Sequence, residues 1–505
     1  MKRRTFVKSC ATGALVIIVD SRRATHAADT KALEEAFRRP PPSARPHTWW
    51  HWMNGNVSAD GITRDLEAMA RVGVGGVQMF DVGTGIPKGP VATLSLEWVR
   101  LVQHAASEAN RLGLSFTMHN CPGWSSSGGP WVTPDRAMQQ LVWSETLIDG
   151  GRRVDVILPK PFAKLNYYRD AMVLAFPSLP DEGQPMQIAR ATVGGDAVDA
   201  NALTDWDLAA GVDLRPGQGQ RAYLQLEFSE ACTARSVLIH ALNIPGIPGL
   251  PGGGGIPGAA ASLEASDDGV TFRKVTDFAL IASGAAGPNV PLTASFPALK
   301  AKFFRLAVPQ ARRITEFQLS GSGRIPDWTF KTNLARRRNQ EQTVSSDTGP
   351  AIDPEKVLDL TPQMDAEGKL SWQAPTGRWT ILRIGHTPTG RMQNAPSDTG
   401  LGLEIDKFSA EAMEFHFNKY FGDLYEAFRP LATKGLVGAL VDSYEVGMQN
   451  WTPTFAQEFQ KRRGYDLRKY MPAMTGRVVG SPEITERFLW DLRRAQADVI
   501  ADNYY

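Results

Sequence analysis

At 505 residues the chain has material for two or three domains, and 42% hydrophobic with 21% charged residues is the balance of an ordinary folded protein, which excludes a disordered one. Its 55 basic and 53 acidic residues leave a formal net charge of +2, and no Lys/Arg run exceeds three residues, so there is no electrostatic footprint for nucleic acid. With 13 Trp, 47 Gly and 34 Pro it carries many aromatic faces on many tight turns, a composition that suits sugar binding and all-β domains alike.

Residues 1–28 read as a twin-arginine signal peptide. Lys2-Arg3-Arg4-Thr5-Phe6-Val7-Lys8 has the Arg pair followed by Phe and Lys, Ala11 to Val19 is an apolar run too short to span a bilayer, and small residues surround Thr25 to Ala28. The alternative is a basic tail by chance. The signal implies export to the periplasm or beyond, with no stable membrane insertion after cleavage. Only Cys121 and Cys232 then remain, in different predicted domains, so no structural disulfide is expected.

A Pro-rich lead precedes His47-Thr48-Trp49-Trp50-His51-Trp52-Met53-Asn54-Gly55, a strand ending in a loop. Ser58 caps a predicted helix with Ile62, Leu66, Met69 and Val72 at helical spacing and Gly73 at its end. Gly75 to Asp81 is a second buried strand. Ser95 opens a helix with Trp98, Leu101, Val102, Ala105 and Ala109 on one face and Gly113 as its stop, and Leu114 to Asn120 is a third strand, running into Cys121-Pro122-Gly123-Trp124. Three β-then-α units in a row predict a parallel α/β sheet or barrel.

From about Leu141 to Arg324 helical periodicity disappears and short strands recur, among them Ala222 to Phe228, Ser236 to Ala241, Ser262 to Ser266 and Phe303 to Val308. This predicts an all-β insertion over residues 146–325. Leu263 to Phe272, with an Asp-Asp-Gly turn, resembles a discoidin-like, galactose-binding sandwich, which serves equally well as scaffold or as sugar-binding module. The α/β pattern returns over residues 326–505. Trp379 to Thr387 is a strand, a helix carries Met413, Phe417, Phe421, Leu424 and Phe428, Leu436 to Asp442 is the next strand, and Thr454 to Arg463 and Glu483 to Tyr505 are helical. With residues 29–145 as its first part, the count is about five βα units, so an eight-stranded (β/α) TIM-like barrel is incomplete at Tyr505.

Loops at the carboxyl ends of barrel strands carry the chemistry, which draws attention to Asp442 and Glu445 in Leu440-Val441-Asp442-Ser443-Tyr444-Glu445-Val446-Gly447-Met448-Gln449-Asn450-Trp451-Thr452. The competing reading is a helix cap with a loop salt bridge. His51, Trp52 and Asn54 after the first strand, and His119, Asn120 and Trp124 after the third, are candidates for holding a sugar. An indole stacks on an apolar ring face while His and Asn bind hydroxyls; each taken singly reads more readily as a satisfied core residue, but several together at strand ends reverse that balance. Ser125 to Ser127 lack a G-x-S-x-G elbow and are loop hydrogen bonders.

His47 to Asn56, Gly75 to Asp81, Met118 to Gly129 and Asp442 to Thr452 together resemble glycoside hydrolase family 106, the bacterial α-L-rhamnosidases, of which the chain is the N-terminal portion. The resemblance implies inverting removal of terminal α-L-rhamnose from polysaccharides or glycosides, with an active-site calcium touching the sugar hydroxyls. It places Glu445 as general acid. It leaves Asp442 as a calcium ligand or an orienting group, and Glu404 and Asp406 as calcium or sugar binders or, less readily, as the base, with Asn450 and Trp451 in the sugar pocket. The family's base lies on a later strand that no motif before Tyr505 matches. The alternative function is a non-catalytic carbohydrate-binding or assembly protein built from a degenerate barrel and the sandwich.

Overall fold

The computed structural model describes residues 30–505 apart from 42–43, 84, 126, 184–185, 206, 245–259, 279, 281–290, 335–348, 423, 425–435, 442–443 and 445. The predicted signal peptide over 1–28, Phe428, and the two carboxylates Asp442 and Glu445 therefore lie outside the described residues. The chain divides into two compact units. One comprises Met1–Pro130, Gln393–Gly402 and Phe417–Glu445, the other Trp131–Met392, Leu403–His416 and Val446–Tyr505.

The first unit is built on a parallel sheet. After the helix α1 (Thr30–Arg38) come β1 (His47–Met53), α2 (Ala59–Arg71), β2 (Gly76–Val82), α3 (Leu96–Arg111) and β3 (Ser115–His119). The strand Leu436–Leu440 pairs parallel with β3, giving the order β1, β2, β3, Leu436–Leu440. The helices begin where the sequence indicates. The Ser58 side chain accepts from the Gly61 amide and Ser95 from the Trp98 amide, satisfying donors that the first helical turn leaves open. On α3, Trp98, Leu101, Val102, Ala105 and Ala109 are all buried. On α2 Ile62 and Leu66 are buried and Met69 half-buried, while Val72 lies past the last turn and is exposed. Each fully buried side chain of this kind stabilises by roughly 1.5–3 kcal/mol, and this packing fixes the sheet on the helices. Among the described residues four strands lie in open order, without barrel closure.

Two larger antiparallel sheets organise the second unit. In one, eight strands between Ile188 and Ser320 pair antiparallel, led by the long strands Ala222–Leu242 and Leu292–Val308. Alternate residues such as Leu224, Leu226, Phe304, Leu306, Phe317 and Leu319 form its core. Two predicted strands, Ala222 to Phe228 and Ser236 to Ala241, are parts of one strand interrupted by register breaks. The Asp267-Asp268-Gly269 turn joins a hairpin as expected. It is held by the Asp268 carboxylate, which accepts the amides of Val270 and Thr271 at 2.8 Å.

In the other assembly, Arg378–Pro388 pairs antiparallel with both Gln139–Asp149 and Arg169–Pro177. This corrects the placement of Trp379 to Thr387 among the βα units. A strand buried along nearly its whole length reads as a continuous apolar run whether its neighbours are parallel or antiparallel, so periodicity does not separate the two. Gln139–Asp149 and Arg169–Pro177 thus belong to this sheet and not to the eight-stranded one, while Arg153–Ile157 between them pairs with Lys369–Gln373 as a separate ribbon. The helices Phe455–Arg463 and Pro482–Tyr504 share a core with it through Leu382, Ile384, Phe455, Phe459 and Phe488. Among the described residues no helix is long and apolar enough to cross a membrane.

Candidate functional site

In the first unit the parallel register decides which side chains meet. His51 lies opposite Phe80, and Trp52 opposite Asp81. Because side chains alternate across a strand, these two rows face opposite ways. The row bearing His51 forms an aromatic ladder at the carboxyl ends of the strands. His51 stacks on Phe80 with centroids 5.2 Å apart, Phe80 stacks on His119 at 4.7 Å, and Trp124 meets the His51 ring edge-on at 6.4 Å. Trp49 closes on Phe80 at 5.3 Å. Trp124 keeps 37% of its surface exposed and Trp49 54%, so indole faces are open to a ligand. Burial lowers the pKa of His51, which favours the neutral ring that both donates and accepts a hydrogen bond. His119 is buried, with Nδ1 2.9 Å from the Cys121 carbonyl oxygen.

The opposite row does different work. Trp52 is 2% exposed and packs edge-on against Trp50 and Trp98, so the sugar-stacking role expected of it is corrected to a core role. Asp81 accepts from the Trp98 indole at 2.7 Å and from the Thr93 hydroxyl at 2.9 and 3.0 Å. Burial raises its pKa to about 6 against the lowering effect of those bonds. Thr93 in turn meets the Ser397 hydroxyl, and Thr399 donates to the Thr93 carbonyl at 3.0 Å. A strap, Gln393–Gly402, is thereby tied to the ends of β2 and β3. Gln393 donates to the Pro122 carbonyl, the Trp124 amide to Asn394, and the Gly83 amide to Ala395. Gly123 sits at φ +84° with the Asn394 carbonyl oxygen 2.3 Å from where a Cβ would be, so no other residue fits beneath the strap. Asn54, left-handed at φ 49°, donates to the Ile86 carbonyl at 2.7 Å and shapes the loop after β1. Asn120 is buried, and its backbone amide donates to Leu440 at 2.9 Å.

The remaining candidates fall in the second unit, where they serve a buried polar network. Glu404 pairs with Lys407 at 2.7 Å, both side chains wholly buried. Asp406 accepts from the Phe408 amide at 2.9 Å, the Thr452 hydroxyl at 2.8 Å and the Gln449 amide group. Burial raises the pKa of Asp406 to about 6, against those bonds. With its oxygens so engaged, Asp406 is a tether for the segment Gln449–Thr452 and not an open base. Asn450 accepts from the Leu141 amide at 2.8 Å and donates to the Thr332 carbonyl at 2.9 Å, a bolt between backbones. Trp451 is 2% exposed and packs on Phe455 at 5.5 Å, so its expected place in a sugar pocket is likewise corrected to the core. Sequence reading missed Phe80, whose alternation with Asp81 was available, and Lys407, whose burial no local pattern signals.

Calcium takes six to eight oxygen ligands. Glu404 Oε1 is the single oxygen of the predicted set that is buried without a hydrogen-bond partner among the described residues, and its other oxygen faces an ammonium. Among those residues no group of three or more His, Cys, Asp or Glu side chains gathers to hold a metal. The described residues therefore do not compose a calcium site.

Residues 38–505 match the alpha-L-rhamnosidase family, glycoside hydrolase family 106. The chain belongs to that family. A solved rhamnosidase from Novosphingobium sp. PP1Y is similar at 36% identity and a TM-score of 0.80, over 94% of this chain and 45% of that one. A Formosa agariphila protein named "Putative beta-glucuronidase" is 32% identical over 475 residues, 94% of this chain. The chain spans 29% of the length of that relative.

Proposed function

We propose that the chain carries the acid side of an inverting glycosidase that releases terminal α-L-rhamnose from polysaccharides or glycosides. The observation that carries this reading is the likeness to a solved rhamnosidase over 94% of the chain. The open indole faces of Trp49 and Trp124 beside His51 suit a 6-deoxy sugar, whose methyl-bearing ring face packs on an indole while its hydroxyls meet imidazole nitrogens. Inverting hydrolysis uses one carboxylic acid to protonate the leaving oxygen and a second carboxylate, roughly 6.5–9.5 Å away, to activate water. Glu445, which follows the parallel strand Leu436–Leu440 in the chain, is proposed as the acid. The further proposals are completion of the parallel sheet to a TIM-like barrel, a discoidin-like identity for the eight-stranded assembly, calcium at the sugar, and twin-arginine export to the periplasm or beyond. Calcium rests on the family resemblance alone, and activity surviving exhaustive EDTA treatment would remove it.

The name of the Formosa relative favours a second reading, a glucuronidase. Its substrate bears a carboxylate, which an imidazole-and-indole surface serves less well than a neutral deoxy sugar. Assaying the protein on an aryl α-L-rhamnoside and an aryl β-D-glucuronide separates the two. We expect rhamnose release that falls by roughly a hundredfold or more in Glu445→Gln, the lower end of what a general acid contributes. Preference for the glucuronide overturns the substrate, and unchanged turnover in the variant overturns the acid.

A further inference from the structure

The second unit encloses a cavity of about 640 Å³ that the proposed catalysis does not use. Its size falls within the roughly 300–1,000 Å³ of pockets that bury small ligands. Strand alternation builds both walls. On the strand Gln139–Asp149, Trp143, Glu145 and Leu147 point the same way into it. On the eight-stranded assembly, the register sets Ser236 beside Ser320 and Leu238 beside Gln318, all lining the cavity from the side away from that assembly's core.

The chemistry of the lining is specific. Trp143 is half-buried and its ring is held edge-on by the buried Trp328, with centroids 6.1 Å apart and planes at 62°. Arg477 is clamped by Glu145 at 2.6 and 2.9 Å and by Glu182 at 2.5 Å, which fixes a charged wall in place. Glu145 nevertheless leaves 38% of its side chain accessible. No side-chain hydrogen bond joins the amide of Gln318 to another described residue, so a group that both donates and accepts is uncommitted at the cavity wall. Lining carboxylates of Glu145, Asp181, Glu182 and Glu316 outnumber the guanidiniums of Arg324 and Arg477, which disfavours anions.

We infer that this cavity is a second carbohydrate-binding site, taking a neutral glycosyl unit whose ring packs on Trp143, which the buried Trp328 backs, and whose hydroxyls bond to Gln318 and Glu145. Indole for the apolar ring face, an amide for hydroxyls that donate and accept, and carboxylates for hydroxyl donors are the complement of a neutral sugar. The class of ligand follows from this lining, so the inference stands or falls apart from the assignment of Glu445.

The test is isothermal titration of the intact chain with L-rhamnose, D-galactose and maltotriose, with galacturonic acid and spermidine as charged controls, repeated on Glu445→Gln. Saturable binding of a neutral sugar, retained in Glu445→Gln and weakened at least tenfold in both Trp143→Ala and Gln318→Leu, is the expected result. Gln318 lies off the hydrophobic core, so its variant reports on binding even where loss of Trp143 disturbs packing. Hydrolysis of a small aryl rhamnoside should be unchanged in Gln318→Leu. Absence of neutral-sugar binding, binding that both variants leave intact, or stronger binding of spermidine or galacturonate than of the neutral sugars would overturn the inference.

Discussion

The two units use the same kinds of residue to opposite ends. At the strand ends of the first, His51, Phe80, His119 and Trp124 form a ladder with indole surface left open. In the second, Glu404, Asp406, Lys407, Asn450 and Trp451 sit at 0–2% exposure, and Glu404 and Lys407 pair with each other while Asp406 and Asn450 bond to neighbouring side chains and backbone. An open aromatic surface exchanges water for ligand at little cost, whereas a buried charge is tolerated only while its partner is present. Residue type alone does not mark function; what separates the units is whether a group's bonding capacity remains available.

The sharpest break of this contrast removes one partner from the buried pair. Lys407→Met leaves the Glu404 carboxylate uncompensated where its side chain is wholly buried. We expect a loss of roughly 3–5 kcal/mol in urea denaturation, as for other broken buried pairs. Combining it with Glu404→Gln should recover much of that loss, because no charge is then stranded. A single-variant loss below about 1 kcal/mol would show that the pair reaches water and that the contrast between units is wrong.

The strength of these tethers explains what was legible in the chain and what was not. The helices α2 and α3 and their caps followed from Ser58 and Ser95 and the apolar spacing behind them, because capping and amphipathicity are local. Sheet membership is not local. Arg378–Pro388 has the apolar run of a buried parallel strand, yet its partners lie some two hundred residues away and run antiparallel. The site shows the same division. Gathering His51, His119 and Trp124 needed only the rule that strand ends meet, which the βα pattern supplied. Trp52 and Trp451 misled because a one-residue step along a strand, or a loop turned inward, exchanges solvent for core without changing the residue type.

A second break uses pH. An aspartate in the unfolded chain ionises near 3.8, while folded Asp406 holds its proton up to about 6. The native state therefore binds more protons between those values, and stability falls as pH rises from about 4 to about 6, by about 3 kcal/mol for the full shift. His386, whose burial depresses its pKa to about 4, contributes the opposite slope. Asp81 in the first unit adds to the fall. The difference between wild type and Asp406→Asn isolates the tether. Unfolding midpoints at pH 4, 5, 6 and 7 should show a less steep fall, or a steeper rise, across this window in the variant, and parallel curves would remove Asp406 as a titrating group.

The smallest effect on stability should come from the open side of the comparison, and it is the most informative about function. Trp124 keeps 37% of its surface exposed, and its ring meets His51 only edge-on. Trp124→Ala should therefore cost under about 1 kcal/mol, whereas emptying the core site in Trp451→Ala should cost roughly 3–5. Activity should move the other way round. If the Trp124 face holds the sugar equally in ground and transition states, KM for an aryl α-L-rhamnoside rises about tenfold with kcat little changed, the signature of uniform binding. Trp124→Phe should restore most of that affinity, since a smaller aromatic face still stacks. If both Trp124 variants leave KM where it was, the ladder is scaffold like its buried counterpart, and the sugar is held elsewhere in the protein.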